Sequence, residues 1–83
     1  MRLISQDGSI DIPYQNFVVE RENGIIKIDI GNCGVLVPVG IYSSEEKAIK
    51  VMQLIQNQYL DFCCNYHAQS GVFLFPKDSE VEV

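Results

Sequence analysis

The chain has 83 residues, 47% of them hydrophobic, and sets six Lys and Arg against eleven Asp and Glu for a formal charge of −5. That length makes one domain, residues 1–83. The negative balance excludes non-specific nucleic-acid binding, which depends on Lys and Arg neutralising phosphates, and it disfavours an anionic membrane surface.

A core this small leaves stability marginal unless a disulfide, a metal or a partner subunit adds to it. Three cysteines, two of them adjacent at Cys63 and Cys64, do not form a secreted disulfide framework. A partner subunit is therefore the expected addition. No stretch reaches the roughly 18 consecutive apolar residues that span a bilayer. The first residues meet a charge too soon for a secretion signal, so the expected location is cytoplasmic.

In chain order, residues 2–5 and 9–12 flank Gln6-Asp7-Gly8. Asp-Gly between short apolar runs predicts a hairpin, because both turn positions tolerate positive φ. Pro13 ends the second run, since it cannot donate to a ladder. A third strand is predicted from Gln15 to Glu22 and a fourth from Ile25 to Ile30, joined by Asn23-Gly24, the strongest hairpin signal in the chain. Ile26, Ile28 and Ile30 alternate with Lys27 and Asp29, the period of a strand with one wet face. After Gly31-Asn32-Cys33-Gly34, the residues Val35, Val37, Val39 and Ile41 are expected to share one face of a fifth strand, with Pro38 marking an edge or a strand end.

Ser43 to about Gln69 is the one long helix. Ser43 and Glu46 match a capping box, in which hydroxyl and carboxylate satisfy reciprocal backbone donors. Ala48, Val51, Met52, Ile55, Tyr59, Phe62, Cys63 and Tyr66 fall in one stripe about 120° wide, the core face. Run to His67, the helix would measure about 36 Å, against about 17–20 Å for an ordinary strand. It must bend, stop early or pack on something else. Ile49, Leu54, Leu60 and Cys64 lie off the stripe, where a plain surface helix is polar, and are the candidate oligomer interface. Ser70-Gly71 breaks the helix. Val72 to Phe75 reads as a last strand, apolar on both faces and so central or covered. Asp78 to Val83 reads as an acidic, solvated tail. The predicted class is α+β: an antiparallel sheet of β-hairpins against one long amphipathic helix, with a C-terminal strand.

Motifs for chemistry are few. Cys63 and His67, at i and i+4, could converge on a metal, but a structural zinc site needs four ligands. Cys33 is the only other thiol, and there is no second histidine. Packing cysteines are the better reading, and neither metal nor cofactor is expected. A Cys–His nucleophilic pair would lack an orienting group and a cleft. Asp7 and Asp11 could mimic paired carboxylates, although a turn and an outward strand face explain them better. No phosphate-loop, dinucleotide, zinc-protease or EF-hand motif occurs, so no catalytic residue is assigned. The helix start remains a candidate anion site. Ser43 and Ser44 offer donors there and Lys47 lies one turn on, with Arg2 and Lys27 as further cations supplied between subunits.

Three blocks carry a resemblance: Arg2-Leu-Ile-Ser-Gln-Asp-Gly-Ser-Ile-Asp-Ile-Pro-Tyr14, Ile41-Tyr-Ser-Ser-Glu-Glu-Lys-Ala-Ile-Lys-Val-Met52 and Val72-Phe-Leu-Phe-Pro-Lys-Asp-Ser-Glu-Val-Glu-Val83. Together they span just under half of the chain and resemble short uncharacterised proteins of prophages and bacteriophages of gut Firmicutes. The resemblance implies an accessory protein of a mobile element, a class that often acts by binding something of the host. The expectation is a homo-oligomeric, non-enzymatic binder of a host protein or defence component. The alternative is a small-ligand binder that sequesters a nucleotide signal.

Overall fold

The computed structural model describes residues 1–14, 17–29, 34–64 and 71–82, with residues 61–64 by their backbone alone. The elements are β1 (Arg2–Ile4), β2 (Asp11–Pro13), β3 (Val18–Glu22), β4 (Ile25–Asp29), β5 (Leu36–Ile41), α1 (Glu45–Cys64) and β6 (Val72–Leu74), followed by a 3-10 turn at Asp78–Glu80. The class is α+β. The strands divide into two three-stranded sheets, ordered β2-β1-β6 and β3-β4-β5.

In the first sheet β1 pairs antiparallel with β2 and parallel with β6, with Leu3 opposite both Ile12 and Phe73. The β1–β2 loop is wider than a two-residue turn. Ser5 N–H donates to the Ile10 carbonyl at 2.9 Å, Gly8 N–H donates to the Ser5 carbonyl at 3.0 Å, and Gly8 alone of the Asp-Gly pair takes positive φ, 78°. β2 therefore starts two residues later than expected and includes Pro13. An outer strand accepts that proline, because its missing N–H would face away from the ladder.

β6 departs from its expected central place. Among the described strands it is an edge, with Phe73 buried and Val72 and Leu74 exposed. Two apolar faces did not mean two covered faces.

The second sheet is an antiparallel meander. Glu22 pairs with Ile25 across Asn23-Gly24, the two-residue hairpin expected. Asn23 supplies the positive φ, 54°. Gly24 is needed for space: an added Cβ would lie 2.5 Å from the Tyr42 carbonyl oxygen, and Tyr42 N–H donates to the Gly24 carbonyl at 2.8 Å. Among the described strands β5 is an edge, one of the two readings Pro38 allowed. It carries a bulge, since Ile26 faces Gly40 while Lys27 faces Pro38, leaving Val39 extra. An extra residue inverts the alternation beyond it. Ile41 consequently points to solvent rather than joining Val37 and Val39, while Gly40 and Tyr42 turn inward. A Cβ on Gly40 would meet the Tyr42 ring at 2.9 Å and the Phe75 ring at 3.2 Å.

α1 packs on β3 and β4. Ala48, Val51 and Ile55 are buried and Met52 and Tyr59 half-buried, as the stripe predicted; Tyr59 meets Tyr14 edge-on at 4.8 Å. The remaining core comes from Met1, Leu3, Phe73, Phe75, Ile26, Ile28, Val39, Tyr42 and Val81. Val81 corrects the reading of the last residues as a solvated tail, because that segment folds back into the core. The helix begins at Glu45, and the expected stretch 65–69 lies outside the described residues, as do Cys33, Tyr66 and His67.

Candidate functional site

Two regions of α1 gather the residues of interest, its start and its flanks. At the start, the cap is one residue later than the sequence pattern indicated. Ser44 Oγ accepts the Lys47 N–H at 3.2 Å, and the Ser44 carbonyl accepts the Ala48 N–H at 3.3 Å. Ser43 takes another role: its N–H donates to Asp78 Oδ1 at 2.7 Å. Lys47 Nζ donates to the Asp78 carbonyl at 2.9 Å and lies 3.5 Å from Asp78 Oδ2. The Ser43 N–H, more than any other contact, holds the Asp78 carboxyl below the usual carboxylate range. A carboxylate of this chain thus sits where the free donors of a helix start favour negative charge.

Ser43, Ser44 and Lys47 are brought together by this arrangement; Arg2 and Lys27 are not part of it. Arg2 makes a two-point pair with Asp11, Nε to Oδ1 at 2.9 Å, across β1 and β2. Lys27 Nζ donates to Glu22 Oε2 at 3.2 Å in the other sheet. Within one chain, each of these cations already has a carboxylate. Asp7 and Asp11 serve separate structures too. Asp7 Oδ1 accepts from Ser9 Oγ at 2.7 Å, Ser9 N–H at 3.0 Å and Ser5 Oγ at 2.7 Å, which hold its pKa down at about 2.

Of the interface residues expected on α1, Ile49, Leu54 and Leu60 are 38%, 39% and 59% exposed; the Cys64 side chain lies outside the described residues, as do those of Phe62 and Cys63. They do not form one patch. At about 100° per residue, Ile49 and Leu60 fall within about 20° of each other, whereas Leu54 lies about 140° round the helix. Gln53 and Gln56, both exposed, fill the turns between Ile49 and Leu60, so that flank is a charge-free stripe.

Leu54 faces the other way, toward β6. It lines a groove of about 550 Å³ with Asn57, Gln58, Phe73, Leu74 and Pro76. A second depression of about 360 Å³ shares Leu54 and Pro76 and continues to Lys50, Glu80, Val81 and Glu82. Gln58 Nε2 crosses between its walls to the Val72 carbonyl at 2.7 Å.

Gln6, Leu74 and Asp78 drew no functional reading from the sequence. Gln6 joins the sheets: its amide donates to the Ile41 and Pro76 carbonyls at 3.2 and 3.0 Å and accepts the Ile41 N–H at 2.7 Å. The Pro76 carbonyl also accepts the Tyr42 hydroxyl at 2.8 Å, and burial pushes that phenol up to about 12. Among the described residues no group of three or more His, Cys, Asp or Glu is arranged to hold a metal, and no helix is long and apolar enough to cross a membrane. No family model, curated protein or solved structure matches the chain.

Proposed function

We propose that this chain is a small non-enzymatic binding protein of phage or prophage origin, which assembles as a homo-oligomer and acts in the host cytoplasm on a host protein or defence component. The observation that carries the reading is the uncharged stripe Ile49-Gln53-Gln56-Leu60 on a chain of net charge −5. Two copies repel each other least where neither bears charge, and the i, i+4, i+7, i+11 spacing is the seam of a pair of packed helices. The other flank stays open for a target.

Sedimentation at micromolar concentration tests the assembly. The expected result is a dimer or larger species that becomes monomeric with Ile49→Glu and Leu60→Glu. A wild-type chain that is monomeric throughout would remove the oligomer from the proposal. In a host whose defence system blocks an infecting phage, expression should raise plating efficiency, and the same double variant should lose that effect.

A second reading, a sponge for a nucleotide signal, draws support from the carboxylate at the helix start. A phosphate could take the place of Asp78 against Ser43 N–H, Ser44 and Lys47, with Arg2 or Lys27 offered by a neighbouring copy. Calorimetry against cyclic and linear nucleotides should then give heat, and Asp78→Asn should strengthen it. Absence of heat with every nucleotide would count against this reading.

A further inference from the structure

We infer that the groove between α1 and β6 takes an extended segment of a partner protein, bound as an added strand along β6, with a basic residue just before its apolar stretch. The inference rests on the reading of this chain as a protein-binding module and specifies which surface does the binding and what it recognises.

The first support is the backbone of the edge strand. Arg2 N–H donates to the Gly71 carbonyl at 2.6 Å and Phe75 N–H to the Ile4 carbonyl at 3.0 Å. A parallel ladder bonds alternate residues of each strand. Residues 71, 73 and 75 therefore face β1, while 72 and 74 face outward. Gln58 closes the Val72 carbonyl. Among the described residues none bonds the outward N–H and carbonyl of Leu74, the template to which a further strand adds.

The second support is the lining. Beside that backbone lie Leu54, Phe73 and Pro76, with Leu74 61% exposed, so alternate side chains of an added strand meet an apolar wall. A strand presents every second residue to one side, which suits a groove with one such wall.

The third support is charge, and it selects the occupant. The groove continues past Pro76 to Glu80 and Glu82, with Lys50 the only cation among the described residues that line it. Pro76 follows the end of β6, so the acidic part lies beyond the strand's C-terminal end. Antiparallel pairing is the more stable arrangement. It places the segment's N-terminal side there, and a Lys or Arg at that position meets the two carboxylates. A second copy of this chain, itself acidic, suits that end poorly.

The test uses the full chain, isotope-labelled, and two short synthetic peptides. Both alternate valine and threonine; one begins with two lysines and the other with two glutamates. The expected result is that the lysine peptide shifts the amides of Leu54 and Leu74 and slows hydrogen exchange at Leu74. It should bind about threefold to tenfold more tightly than the glutamate peptide at low salt, with the difference shrinking as salt rises. Glu80 also accepts its own turn's Lys77 N–H at 2.8 Å, so Glu82→Lys carries the charge test; it should narrow or invert the preference.

Equal binding of both peptides, shifts confined to other surfaces, or no shift at all would overturn the inference. Protection of Leu74 that grows with protein concentration and needs no peptide would assign the edge to a second copy and overturn it equally. Sedimentation of the same samples separates the two levels. An oligomer blind to both peptides fails the groove alone, and a monomer that binds the lysine peptide fails the assembly alone.

Discussion

Asp7 concentrates three hydrogen bonds on one carboxylate oxygen, and each is stronger to the ionised carboxylate than to the neutral acid. Its pKa falls from 3.8 to about 2 on folding. The folded value is the lower one, so the stabilisation is present above the unfolded value and is lost as pH falls through the folded value. Asp7→Asn is expected to lower Tm at neutral pH, with the gap to wild type closing between pH 3.8 and about 2. Thermal melts followed by circular dichroism across that range check it, and a gap that stays constant would show that charge is not what the loop uses. The sequence announced part of this loop, because Asp-Gly is a turn signal. It did not announce Ser5 and Ser9 as the donors, since serines at loop positions carry no pattern of their own.

At the scale of elements, legibility followed sequence distance. The Asn23-Gly24 hairpin and the core stripe of α1 were readable because turn chemistry and helical period act over a few residues. The bulge at Val39 was not readable, as nothing local distinguishes Val39 from Val37, and it moved Ile41 from the expected inner face to the outer one. The clasp at the helix start joins Ser43 to Asp78, 35 residues on, and Gln6 reaches Ile41 and Pro76 over 35 and 70 residues. Such pairs leave no periodic trace.

Gln6 gives the sharpest element-scale prediction, because one amide bridges the β1–β2 loop, β5 and the segment after β6. Gln6→Ala should cost about 1–3 kcal/mol, the net worth of a few partly exposed hydrogen bonds. Gln6→Glu should cost at least as much at neutral pH, since it loses its donor and turns a carboxylate toward two carbonyls. It should recover in acid, where the protonated carboxyl can donate again. Urea unfolding at both pH values measures the pair, and a Gln6→Glu variant as stable as wild type at neutral pH would remove Gln6 from this role.

On the scale of the whole molecule, the extents are 34 × 33 × 18 Å. The short dimension is about one helix laid on one sheet, each layer being about 10 Å thick. Two layers shield one face of each, so the flanks of α1 stay exposed whatever the helix buries beneath it. This accounts for the apolar residues off the stripe in physical terms: Ile49 and Leu60 project from one side of the slab, and Leu54 toward β6 on the other. The sequence marked the three as surplus to the core, yet grouped them as one surface. Only the position of β6 separates a stripe suited to a second copy from a groove suited to a different chain.

The parallel pairing of β1 with β6 also has a consequence in time. Arg2 and Val72 lie opposite each other although nearly the whole chain separates them, and closing so long a loop is entropically expensive and slow. The β3–β4 hairpin closes over two residues and can form early. Pulse-labelled hydrogen exchange during refolding should therefore protect β3 and β4 amides first, and β1 amides facing β6 only in the final phase. During synthesis β1 leaves the ribosome well before its partner β6, holding Leu3 exposed meanwhile. Arrested chains that stop before Val72 should bind a chaperone that chains extending past β6 release.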